Sequence, residues 1–425
     1  MAALSLVLTR AAARAIQSST GWGHVTIGMS GAEPTGVVRA VSDGSGPLRP
    51  VDLEPTHYLT VADSRSNCVW HRVPPLVNAT WFFSLAQHTG VSFDWFSEHI
   101  PRGLRQPGAA AYYAITHIAD DQDFSSPGFT VPEFAAWRVS RDGVFPVDVD
   151  VEGGRSGADL LGPHWPVTEL AAARVLVVGT GSIGGAAALA LATAGIGALD
   201  LLDPDRLRWH NLPRHVCGRK HVGRPKVEAL RADLATLRPD TEVRPHMLDV
   251  VEEADEVREL LTRVDLVVCA VDGVAPRRVV SHLARRAGTT AVLACVLADG
   301  AYGDILRLRP WPDHGCLVCR TESLVDSGGV LPDLDATRGY GGADNSMTAV
   351  GSDLHLVGHS AAKVAVATVL HSLGHHDHWL AGEHAVIALR PRPGWAEPYD
   401  LERTGETTWH PAPAPRPGCP TCSKS

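Results

Sequence analysis

Gly179, Gly181 and Gly184 in the run VLVVGTGSIGG (Val175–Gly185) have the G-x-G-x-x-G spacing of a turn that holds a phosphate. The first glycine allows the tight turn and the second lets the backbone approach the phosphate. The third lets helix and strand pack closely, while the helix amino end attracts anionic charge. Asp203 follows about 20 residues on, at the end of the next strand, where a carboxylate would bond ribose hydroxyls. This much suits NAD and ATP equally. The stretch LLDPDRLRWHNLPRHVCGRKHVGRPK (Leu201–Lys226) separates them. Asp205 falls on the same side of an extended segment as Asp203, Asn211 and Arg214 come in a loop, and Lys226 starts a helix. Hydride transfer needs no such second set. An enzyme handling a triphosphate does, because Arg and Lys neutralise charge that builds on leaving pyrophosphate. Asp272, at the end of VDLVVCAVDG (Val264–Gly273), is suited to hold Mg²⁺ through its carboxylate.

A second group of residues reads as a metal site. The chain has 8 cysteines, too few and too unevenly spaced for a secreted disulfide scaffold. Cys316 with Cys319, and Cys419 with Cys422, form two Cys-x-x-Cys pairs, enough thiolates for a tetrahedral zinc ion. A redox role would use one pair and leave the other unexplained. The Pro-rich run HPAPAPRPG before Cys419 cannot make a core element, so zinc is expected to pin this C-terminal tail, in a closed and non-catalytic site. Cys217 sits close to Arg214, Arg219 and Lys220, a cationic setting that would lower its pKa; it is nonetheless read as an inert loop thiol. Cys68, Cys269 and Cys295 read as core residues.

These groups need a scaffold, and the chain supplies one from Ala171 onward. RVLVVG is a short buried strand, GGAAALALATAGIG a helix of small residues, and ALDLLDPD the next strand. RPKVEALRADLATLRP is a helix with Val227, Leu230, Leu234 and Leu237 on one face. Further strands (TEVRPHML, VDLVVCAVDG, TTAVLACVLADG, AYGDILRLRP) and the helix VEEADEVRELLTR continue the alternation. The expected fold is α/β, a doubly wound Rossmann-like sheet with parallel pairing and ligands at the carboxyl ends of its strands. Residues 1–150 have a different texture, with five of the 11 tryptophans and no clear alternation, and read as a separate accessory domain. The Gly/Pro-rich 151–166 reads as a linker and 167–425 as the nucleotide-binding domain.

Composition removes other classes. The formal charge of −9 comes with no basic run for nucleic acid or an anionic membrane, and no apolar stretch is long enough to span a bilayer. In MAALSLVLTRAAARAIQSS the arginines follow the apolar run, the reverse of a signal peptide. This segment is expected to be an amphipathic helix of a cytoplasmic protein.

Taken in order, the glycine turn, LLDPD, NLPRH, VGRPK and AVDGVAPRR resemble the MoeB/ThiF family, the ATP-dependent activating enzymes of the ubiquitin, thiamin-sulfur and molybdopterin-sulfur pathways. The resemblance covers roughly 166–425. It implies ribose binding by Asp203, nucleotide and phosphate contacts by Asn211, Arg214 and Lys226, and a magnesium-coordinating, catalytically needed Asp272. It also implies a structural zinc on the two cysteine pairs and a homodimer. In some relatives an arginine reaches across from a segment before the glycine strand; Arg102, Arg105 and Arg155 are the possible substitutes here. Two positions depart from the family pattern, Gly273 where Asn is frequent and His215 where Gln is usual.

Many relatives transfer the activated carboxyl group to a cysteine in a long loop beyond the first zinc pair. Here that region, Ser323–Gly351, is rich in Gly and Asp like a mobile lid, and no cysteine lies between Cys319 and Cys419. His371, His375, His376 and His378 read as a solvated helix end, and His117 with Asp120, Asp121 and Asp123 lacks the paired histidines of a metallopeptidase. The aromatic stretch ATWFFSLAQHTGVSFDWFSEHI reads as core. The expected activity is ATP-dependent adenylation of a carboxylate, the end of a ubiquitin-like or sulfur-carrier protein or a peptide. The alternatives are an NAD(P)-dependent oxidoreductase and a non-catalytic partner-binding module of the same fold.

Overall fold

A computed structural model of the chain describes residues 5–19, 21–29, 35–51, 64–100, 102–118, 125–126, 129–152, 161–162, 164–310, 313–327, 348–376 and 379–422. They fall into two compact units, 1–156 and 157–425.

The first unit carries β1 (Ser5–Leu8), α1 (Arg10–Gln17), β2 (Trp22–Met29), β3 (Thr35–Val41), β4 (Arg49–Pro50), β5 (Ser64–Arg72), α2 (Pro75–Gln87), α3 (Phe93–His99), β6 (Tyr112–His117), the two-residue strands β7 (Ser125–Ser126) and β8 (Phe129–Thr130), β9 (Phe134–Ser140) and β10 (Gly143–Val151). The larger sheet runs β1-β10-β9-β6-β5-β2-β3-β4, and β1 also pairs in parallel with β3, so the ladder closes on itself. The opening segment therefore differs from the expected single helix. Leu6, Val7 and Leu8 are buried on both sides, which a strand between two neighbours satisfies, and the helix begins only at Arg10. Thr9 caps it, its hydroxyl oxygen accepting the Ala12 N–H at 3.2 Å.

The second unit carries α4 (Val167–Ala171), β11 (Arg174–Val178), α5 (Ser182–Ala194), β12 (Ala198–Leu202), α6 (Lys226–Leu237), β13 (Glu242–His246), α7 (Ala254–Leu261), β14 (Leu266–Cys269), α8 (Val274–Ala287), β15 (Thr290–Leu297), β16 (Tyr302–Leu308), α9 (Leu317–Asp326), α10 (Gly351–Ser372), β17 (His384–Ala388) and β18 (Thr407–His410). The strand order is β13-β12-β11-β14-β15-β16-β17-β18. β11 to β15 pair in parallel, as a doubly wound sheet requires. The last three strands pair antiparallel, unlike the uniform expectation; for β15 and β16 the reason is a short turn with no room for a crossover. Among the described residues no helix is long and apolar enough to cross a membrane.

Burial follows from these layers. Val175 to Val178 are all fully buried because both sheet faces are covered. The small-residue helix α5 packs against α10 so closely that a Cβ at Gly358 would meet the Ile183 carbonyl at 2.3 Å. On α6, Val227, Leu230 and Leu234 are buried, but Leu237 is 51% exposed, where the helix ends beyond the layer it packs on.

Candidate active site

β11 sits at the centre of the second unit's sheet, with β12 on one side and β14 on the other. The chain reverses direction across the sheet at this point, so the loops leaving β11 and β14 lie side by side, where ligands of such sheets bind. The glycine turn leaves β11 and Asp272 leaves β14. Gly179 has φ +83°, and a Cβ there would meet the Ala270 carbonyl at 2.8 Å. A Cβ on Gly184 would come within 1.7 Å of the Gly179 carbonyl, so both positions require glycine. Gly181 differs, because a Cβ there would meet nothing within 4 Å. Open space lies directly above this backbone, where a phosphate group would sit.

Asp203 binds the turn itself. Its Oδ2 accepts the Thr180 N–H at 2.8 Å and its Oδ1 accepts the Asp205 N–H at 2.9 Å. Lys226, at the start of α6, reaches Asp205 at 2.7 Å and Asp203 at 3.6 Å. The carbonyl of Asp205 in turn accepts the Lys226 N–H at 2.9 Å. Asn211 holds its own loop, its Oδ1 accepting the Arg208 N–H at 2.9 Å.

Asp272 is solvent-accessible yet closely surrounded, and that crowding pushes its carboxyl above the ordinary carboxylate range. Lys226 and Arg214 pull it back down, while Asp203 and Asp205 push it further up. All four groups therefore face Asp272 within electrostatic reach. Among the described residues neither the Asp272 carboxylate nor the Arg214 guanidinium has a hydrogen-bond partner. A hard carboxylate oxygen of this kind, beside the glycine turn, fits a magnesium ion. Gly273 caps α8 at φ +87° and ψ +165°, a region open essentially to glycine alone, which accounts for its departure from Asn.

His215 and His355 were not legible as site residues. His215 is 7% exposed, with Nε2 2.8 Å from the Thr180 carbonyl oxygen and Nδ1 accepting the Cys217 N–H at 3.0 Å. Burial lowers its pKa to about 4, so it is neutral, with the proton on Nε2. His355 of α10 lies 2.8 Å from the Arg214 carbonyl oxygen. The one available signal was the exchange of Gln for His, which preserves a side chain with one donor and one acceptor. Cys217 is buried, and burial together with Asp233 pushes its thiol up to about 12, overriding the cationic neighbours expected to lower it.

The four paired cysteines meet at the other functional cluster. Their sulfurs all lie within 4.8 Å of one another, with contacts of 3.6 Å (Cys316–Cys419), 3.7 Å (Cys319–Cys422) and 3.9 Å (Cys316–Cys319). A tetrahedral ion with Zn–S near 2.3 Å puts its sulfurs about 3.8 Å apart, whereas a disulfide needs about 2.05 Å. The Arg416 N–H (3.3 Å) and Arg285 Nη2 (3.4 Å) donate to Cys319 and Cys422, as donors around metal-bound thiolates do.

The remaining candidates make local contacts of their own. His371 and His376 meet edge to face near Trp379, and this group makes no metal-sized cluster among the described residues. His117 pairs with Glu133 at 3.0 Å. Arg105 lies over the Tyr112 ring within the first unit. His378, Asp120, Asp121, Asp123, Arg155, residues 328–347 of the lid segment and most of the predicted linker lie outside the described residues.

Residues 161–388 match the ThiF family. Among curated proteins, the adenylyltransferase and sulfurtransferase uba4 of Aspergillus niger is 32% identical over 168 residues, covering 39% of this chain and 34% of that protein. The sulfur carrier protein ThiS adenylyltransferase of Escherichia coli is 30% identical over 147 residues, covering 34% of this chain and 57% of that protein. The chain thus spans less than two thirds of the length of these relatives. A crystal structure of E. coli MccB is 19% identical with a TM-score of 0.44, covering 60% of this chain and 68% of that one.

Proposed function

The chain belongs to the ThiF family, and from that premise we propose that its second unit is an ATP-dependent adenylyltransferase. The substrate is a carboxylate, the C-terminus of a small ubiquitin-like or sulfur-carrier protein or of a peptide. The observation that carries this reading is that Arg214 and Asp272, unpaired among the described residues, lie within electrostatic reach of one another and of Lys226, in the unit whose glycine turn leaves open space at Gly181.

In this reading the glycine turn receives the phosphates on its backbone N–H groups and the amino end of α5. Asp203 keeps Thr180, and so the turn, in place, and its location suits the ribose. The substrate carboxylate attacks the α-phosphorus, the bond to the bridging oxygen breaks, and pyrophosphate leaves with its electron pair. Arg214 and Lys226 offset the charge gathering on that leaving group, and Asn211 keeps the Arg214 loop folded. Asp272 would hold Mg²⁺, which when bound supplies positive charge against the triphosphate. The raised pKa of Asp272 means that a cation beside it also secures its ionised form. The acyl-adenylate is released to a thiol or amine from elsewhere, since no cysteine lies between Cys319 and Cys419. The four thiols would hold a structural zinc, and on the family premise the enzyme is a cytoplasmic homodimer.

Calorimetric titration with Mg-ATP, and separately with NAD(H) and NADP(H), tests the reading. Binding of Mg-ATP that weakens in Lys226→Ala supports it, and pyrophosphate exchange with candidate carrier proteins then identifies the substrate. Binding of NAD(P) with no response to ATP would make the protein an oxidoreductase.

A further inference from the structure

The buried histidines among the described residues, His71, His117, His215, His221 and His384, solve the same burial problem differently. His384 pairs both ring nitrogens away from the glycine turn, with Asp304 and Arg320. His71, His117 and His221 each leave one ring nitrogen without a partner. His215 leaves none, and both its partners belong to site loops: the carbonyl of Thr180 in the glycine turn and the N–H of Cys217, three residues beyond Arg214. Thr180 is fully buried and its N–H is held by Asp203. The imidazole therefore closes a chain from Asp203 through Thr180 to the backbone that carries Arg214. On the far side, His355 lies 2.8 Å from the Arg214 carbonyl oxygen. The Arg214 backbone is fixed from two directions, yet its guanidinium has no hydrogen-bond partner among the described residues.

We propose that His215 is a positioning residue of the adenylation site, setting the Arg214 loop against the glycine turn through its two ring nitrogens. The inference rests on the ATP reading above. A neutral imidazole with Nδ1 accepting and Nε2 donating offers what a glutamine carboxamide offers: one acceptor and one donor on a planar group. This is why histidine can stand here without loss of the loop. An apolar replacement strands a buried carbonyl and a buried N–H, and both are then satisfied only if the two loops move apart.

The test is Mg-ATP calorimetry on the whole chain, with thermal melting run beside it. His215→Gln should bind Mg-ATP within about threefold of wild type. His215→Leu should bind about tenfold or more weaker, the cost of one unpaired buried group. His215→Asn, too short to reach both partners, should behave as the leucine variant does and serves if that one does not fold. His221→Leu controls for loss of stability in the same unit, since His221 bonds Asp233 and not the turn; it should melt lower with ATP affinity unchanged. If His215 acts through Arg214, the losses from His215→Leu and Arg214→Ala should not add. A leucine or asparagine variant that binds Mg-ATP like wild type, or losses that add in full, would overturn the positioning role alone. A wild type that fails to bind Mg-ATP would overturn the adenylation reading and this inference with it.

Discussion

The glycine turn and the cysteine cluster belong to the same unit but treat their polar groups in opposite ways. At the cluster the four cysteines are 0–6% exposed, with their sulfurs in mutual contact and supplied with N–H donors. At the turn, by contrast, the structural groups are satisfied, while Arg214 and Asp272 have no hydrogen-bond partner among the described residues. Asp203 and His215 direct their hydrogen bonds to holding the loops. A closed polar cluster stabilises a fold, while unpaired charges held in place by paired ones are prepared for a ligand. Residue type alone does not separate the two, because Asp203 and Asp272 are both aspartates at strand ends.

The comparison can be broken most sharply at the cluster. Stripping the expected zinc, or changing Cys419 to Ser, should remove binding energy on the order of 10 kcal/mol that is coupled to folding. The readouts are metal content and the protection of residues near Cys419 from proteolysis. A metal-free protein with an unchanged melting curve would mean that the cluster is not a structural zinc site.

Next in size come the open charges. Asp272→Ala, Arg214→Ala and Lys226→Ala should each lower pyrophosphate exchange by about 10² to 10³, by analogy with loss of one oxyanion donor. Melting temperatures should hardly move for the first two, whose side chains hold no other group among the described residues. Near-normal exchange in Asp272→Ala would erase the distinction between open and closed groups.

Acid sharpens the comparison between the two units. His71 in the first and His215 in the second are both held at a pKa of about 4 by burial. The unfolded chain binds their protons near 6.5, so each favours the folded state fully above that pH. The contribution falls as pH drops from 6.5 towards 4, by up to about 3 kcal/mol per histidine. Denaturant unfolding at pH 7 and pH 5 should show this loss, reduced in His215→Gln for the second unit. A pH-independent unfolding free energy would mean that neither histidine is neutral by burial.

The smallest effect separates sequence pattern from packing. Leu237→Ala should change stability by less than about 0.5 kcal/mol, since the side chain is largely exposed. Leu234→Ala, on the same stripe but buried, should cost about 2–5 kcal/mol. Equal costs in equilibrium unfolding would mean that the helix end is packed.

What the residues alone made legible was local. The run Val175–Val178 before three spaced glycines specifies a strand, a turn and a helix, because hydrophobic period and backbone freedom act over a few residues. Two Cys-x-x-Cys pairs likewise carry their ligand spacing with them. Folding decided whatever depended on partners far along the chain. Leu6–Leu8 became a strand because β3 and β10 close around it, and β16 ran antiparallel because its turn is short. His215 reaches Thr180 across 35 residues of sequence, and Asp272 meets Arg214 and Lys226 only where β11 and β14 lie side by side. A hydrogen bond or an electrostatic contact is fixed by distances in space, which sequence intervals do not encode until the sheet brings its loops to one edge.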